Sequence, residues 1–151
     1  MFPTCILFAA LGMGPHDKPD FDLTLTKAAA RRLDNGDVIV VCDAVIDNRT
    51  TKVVNVRSTF GSAFDGLMLV VRDEKGKLLT RQAYIWHQSP FAPPGRDFPL
   101  KVGENAKQIG FPFALPADVK TIRVSLVGTL PGSGYDEILV SDVVSVTIAP
   151  K

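Results

Sequence analysis

The stretch Thr121-Ile122-Arg123-Val124-Ser125-Leu126-Val127-Gly128 decides the fold class. Ile122, Val124 and Leu126 alternate with Arg123, Ser125 and Val127. Successive side chains of a strand point to opposite faces, so this spacing is that of a half-buried antiparallel strand. The same period recurs upstream, where Phe21, Leu23 and Leu25 alternate with Asp22, Thr24 and Thr26.

Working outward, turn residues separate further segments of this kind. Asp34-Asn35-Gly36-Asp37 and Asp73-Glu74-Lys75-Gly76 suit tight turns, because Asn and Gly tolerate positive φ. Between them, Val38–Ile46 is apolar on both faces, the mark of a central strand covered twice. Lys52–Phe60 follows, with Val54, Val56 and Phe60 on one face. Leu67–Arg72 and Lys77–Trp86 form a hairpin about Gly76. Asn105–Leu115 sets Ile109, Phe111, Phe113 and Leu115 on one face, and Pro112 directs that strand to an edge or a bulge. Ile138–Ile148 closes the chain as one strand. Lys27–Leu33 adds a helical turn, since Ala28, Ala29, Ala30, Arg31 and Arg32 favour helix. The expectation is all-β: a single antiparallel sandwich of about seven to nine strands.

The 151 residues suit one domain, and 46% hydrophobic with 22% charged residues suits a packed core. The organisation expected is an N-terminal segment, 1–19, followed by a β-domain over 20–151. A formal net charge of +1, with signs interspersed, offers no basic footprint for nucleic acid. The apolar run Cys5–Leu11 is too short to span a bilayer. Two readings of it stand. One is the apolar region of an export signal that lacks its basic start, which places the protein in the periplasm, on the cell surface or outside the cell. The other is a first strand or apolar arm packed on the domain, which places the protein in the cytoplasm.

Catalytic and metal chemistry find little support. His16 and His87 are the two histidines, too few for a zinc site built on recognisable spacing. Pro131-Gly132-Ser133-Gly134 is not the nucleophile elbow that a hydrolase using His87 would need. Gly132 and Gly134 lack the Lys and the following helix of a phosphate loop. Asp65, Asp73, Glu74, Asp97, Glu104, Asp136 and Glu137 fall in loops without a calcium-loop pattern. No enzyme activity and no cofactor are expected. Cys42 reads as a small buried hydrophobe. Asn48-Arg49-Thr50 matches the glycan-acceptor pattern in an expected surface turn.

The layout resembles the immunoglobulin-like and fibronectin-type sandwiches of cell-surface and envelope proteins. The resemblance rests on the Val38–Asn48 strand, the Asp73–Gly76 hairpin, and Leu100-Lys101-Val102-Gly103-Glu104 leading into a strand. These features are also similar to the bacterial intracellular proteinase-inhibitor family, itself Ig-like. They span Val38 to Gly128, without the cysteine pair and core tryptophan of antibody domains. The first resemblance implies a noncatalytic binding or structural module of the envelope or exterior. The second implies a regulator that docks a loop, Ser89–Asp97 or Thr129–Glu137, into a protease cleft. The candidate protein-binding residues are Trp86, His87 and Phe91, beside the stiff Pro93-Pro94 turn. Against that, Trp86 and Phe91 can simply seal the end of the core.

Overall fold

A computed structural model describes residues 18–58, 62–83 and 95–150, with backbone alone at 81–83. The described residues are all-β and contain no helix. Ten strands form: β1 Phe21–Arg32, β2 Val38–Asn48, β3 Val54–Ser58, β4 Leu67–Arg72, β5 Leu78–Ala83, β6 Arg96–Leu100, β7 Gly103–Phe113, β8 Thr121–Gly128, β9 Leu139–Val140 and β10 Val144–Ala149. The main sheet runs β5-β4-β8-β10-β1-β2-β7, with β9 paired to β8. β3 and β6 make a separate two-stranded ribbon. The main sheet curls, bringing β5 at one end into contact with β7 at the other.

The period-two pattern predicts the inner face. Val38, Val40, Cys42, Ala44 and Ile46 of β2 are buried, with Leu67, Leu69 and Val71 of β4 and Ile122, Val124 and Leu126 of β8. Ile109, Phe111 and Phe113 of β7 join them, as do Val54, Val56 and Leu100 of the ribbon. These residues belong to one continuous core. Pro112 lies, as expected, on a strand at the end of the sheet path. The turns close on Gly36 and Gly76, both at positive φ.

Four expectations are corrected. Lys27–Leu33 is not helical: β1 runs extended through Arg32 and pairs with β2 to Arg32↔Val38. A bulge between Leu25 and Lys27 hides this in the sequence. Thr26 is the extra residue, and its hydroxyl donates to Asp43 O at 2.9 Å. The bulge moves the inward positions from Phe21, Leu23 and Leu25 to Ala28 and Ala30, so alternation breaks where the alanines begin. Cross-strand pairing then overrides their helix propensity.

Ile138–Ile148 is two strands, not one. Ser141 interrupts it: its amide donates to Leu126 O, and its hydroxyl accepts from Leu126 N at 2.8 Å. That division and the ribbon raise the strand count to ten. Finally, the sheet is not wholly antiparallel, because β1 pairs with β10 in parallel at Ala30↔Ile148 and Arg31↔Ala149. β10 thus runs beside the end of β1, and the guanidinium of Arg32 ties this corner. It donates to Pro116 O at 2.7 Å and Val119 O at 3.0 Å.

Candidate functional site

Trp86, His87 and Phe91 lie outside the described residues, as do Cys5, His16 and most of the Ser89–Asp97 loop. The second loop, Thr129–Glu137, is a compact turn. Leu130 is buried, Pro131 O accepts from Arg57 N at 2.6 Å, and Ser133 Oγ donates to Leu130 O at 2.6 Å. Gly132 and Gly134 supply positive φ. The Tyr135 ring meets Phe21 edge-on at 4.9 Å. These contacts fold the tip of the turn back on the body.

Asn48 overturns the glycan-acceptor expectation. Although it begins a turn, it lies on the inward face of β2 and is fully buried. Its Nδ2 donates to Lys52 O at 3.0 Å and Leu100 O at 3.1 Å. Its Oδ1 accepts from Thr50 N and Thr50 Oγ1. The amide that would carry a sugar is spent on pinning the 49–52 turn and the end of β6 to β2.

Cys42 is free and buried. Burial, with a smaller contribution from the neighbouring Asp43 charge, pushes its thiol up to about 12. A thiol held neutral this way is a poor nucleophile. Two of the loop carboxylates have local duties: Asp73 accepts from Lys77 N in its hairpin, and Asp65 accepts from Ser58 Oγ. Among the described residues, no three His, Cys, Asp or Glu side chains gather as a metal site would require.

Two surfaces stand out instead. One is a cleft where the ribbon diverges from β7. Phe98, Pro99 and Leu100 form one wall and Glu104–Lys107 the other, and Phe98 is 39% exposed.

The second is the outer face of β4, β8 and β9. Met68 pairs with Val127, and Val127 with Val140, in one row across three strands. Met68 is 36% exposed and Val140 62%. Ile138, just before β9, is 71% exposed. Single exposed apolar residues are ordinary, but a contiguous row across three strands is the kind of patch that marks an interface. Four residues along β8, Arg72 and Arg123 stand directly opposite each other on this face. Sequence alternation places these side chains outward; only the strand pairing places them side by side.

No family model matches the chain, and no curated protein matches it. Among solved structures, a Bordetella pertussis crystal structure described as ApaA aligns at TM-score 0.42 and 14% identity, over 85% of this chain and 94% of that one. The N-terminal domain of PorA aligns at TM-score 0.36 and 10% identity, over 85% of this chain and 96% of that one. Neither likeness carries a functional argument.

Proposed function

We propose that this protein is a noncatalytic, Ig-like binding module of the cell envelope or exterior, and that it engages a protein partner through the outer face of β4, β8 and β9. The observation that carries the reading is the outward row Met68–Val127–Val140, half-buried at Val127 and exposed at both ends, with exposed Ile138 just before β9. Water ordered over such a row is released when a partner covers it, at roughly 25 cal/mol per Å² of apolar area. The two arginines, four residues from the row along β4 and β8, add orientation. The apolar run Cys5–Leu11 supports the export part of the reading.

The test places a photo-crosslinking amino acid at Val140 in the full chain, and at Gln108 on β7 as a control. Crosslinked protein adducts at position 140 and none at 108 are expected. Equal yields, or none at either position, overturn the assignment of this face. Cell fractionation of the full chain, with the mass of the mature N-terminus, tests export.

A further inference from the structure

We infer that the row Arg72–Arg123–Ser145 is a site for a phosphoryl dianion, carried by a phosphorylated side chain of the partner protein. The inference rests on the binding-face reading above, and the way charge is sorted over the sheet carries it further.

The registers of β4, β8 and β10 align three side chains. Arg72 stands opposite Arg123, and Arg123 opposite Ser145. Residues directly opposite share a face, with Cα atoms about 4.5–5.5 Å apart. All three are exposed. In the next row Thr121 stands opposite Thr147, so hydroxyls border the arginines. The outward positions of β4, β8 and β10 hold no carboxylate. The acids lie on another part of the sheet, where Asp22, Asp47 and Glu104 form one row across β1, β2 and β7. Even there, Arg49 pairs with Asp22 and Asp47. Among the described residues, neither Arg72 nor Arg123 makes an ion pair. Asp73, next after Arg72, is turned to Lys77 N in the hairpin.

Like charges directly opposite each other repel, so the arginine pair weakens the sheet unless an anion bridges it. Arg72 Nη1 donates to Gly76 O at 3.0 Å, which orients one guanidinium before any ligand arrives. A guanidinium is a planar fork that meets the oxygens of an anion in pairs. A single carboxylate, with two oxygens and one charge, satisfies one fork. Two forks and the Ser145 hydroxyl call for three acceptor oxygens and a charge near −2, and a phosphorylated side chain supplies both. Arg123 lies four residues before Val127 on β8, about 13 Å along the strand. The partner therefore presents its phosphoryl group at about that distance from the apolar group that covers Met68, Val127 and Val140.

The experiment has two arms on the full chain, with thermal melts confirming that each variant folds. In the first, inorganic phosphate is titrated against chloride at equal ionic strength and followed by amide NMR. Phosphate should move the amides of Arg72, Arg123 and Ser145 to saturation, and acetate should not. Arg123→Gln should weaken phosphate binding about tenfold or more, and Ser145→Ala about threefold. In chloride, Arg123→Gln should leave Tm unchanged or raise it, because the repulsion is gone. In the second arm, adducts formed through position 140 in an extract of the source cells should disappear when the extract is first treated with phosphatase. They should disappear as well in the double variant Arg72→Gln/Arg123→Gln. Amides that do not move, or that move equally with acetate or in Arg123→Gln, overturn the inference, as do adducts that survive phosphatase. In each of those cases adducts at position 140 keep the binding face, and only the phosphoryl group is lost. If phosphate binds but untreated extract gives no adduct, the binding-face reading fails, and the inference of a phosphorylated partner fails with it.

Discussion

Asn48 shows how much one side chain can decide. It satisfies two carbonyls and one amide that would otherwise be buried or strained at the junction of β2, the following turn and β6. Asn48→Ala leaves them without partners and should cost about 2–3 kcal/mol in urea unfolding. Asn48→Asp should cost at least as much at neutral pH, because a carboxylate oxygen replaces the donor facing two carbonyls. Cys42 makes a second prediction at this scale. The unfolded chain loses the thiol proton near the ordinary 9.0, and the folded chain near 12. Between those values the unfolded state binds fewer protons, so stability falls as pH rises, by at most about 1.4 kcal/mol per pH unit. Below pH 9 the effect vanishes. The stability difference between wild type and Cys42→Ala should thus be flat to pH 9 and shrink above it. Native Cys42 should also label slowly with thiol reagents and rapidly in denaturant.

Among the elements, β1 is the most informative. Leu25↔Ala44 and Lys27↔Asp43 are consecutive pairs in its ladder with β2, and Thr26 stands outside them. Deleting Thr26 should therefore keep every other pair and leave a regular strand, at a cost of about 1 kcal/mol or less, since only a bulge and its hydroxyl bond are removed. Deleting Thr24 should be far worse. It slips Leu23 and Phe21 by one residue and turns both outward from the core. Melting temperatures of the two deletions compare them directly. Similar losses would show that the bulge is not where the ladder places it. The two faces of β8 give a parallel contrast. Leu126→Ala should cost about 2–5 kcal/mol, while Arg123→Ala, on the exposed face, should stay within about 0.5 kcal/mol.

At the level of the whole molecule, both halves of the curled sheet and the ribbon contribute to one core. Calorimetry should accordingly show a single cooperative transition. Two separated transitions would mean that the β3–β6 ribbon or one half of the sheet melts independently. The parallel contact of β1 with β10 joins residues far apart in the chain, as does the β2–β7 ladder. Such non-local pairing predicts folding on the millisecond-to-second scale.

The amino-acid sequence by itself determined the all-β class, the inward faces of β7 and β8, and the turns at Gly36 and Gly76. Each follows from neighbouring residues: the two-residue period of a pleated strand, or a glycine where φ turns positive. Only the tertiary structure decided the rest. A bulge resets the period without a distinctive residue, so β1 looks helical from Lys27 onward. Asn48 resembles a surface turn residue until β6 arrives to cover it. Met68, Val127 and Val140 are three unremarkable outward positions until the pairing of β4, β8 and β9 aligns them. Register between distant strands is set by which inner faces pack together, and that is a property of the assembled core.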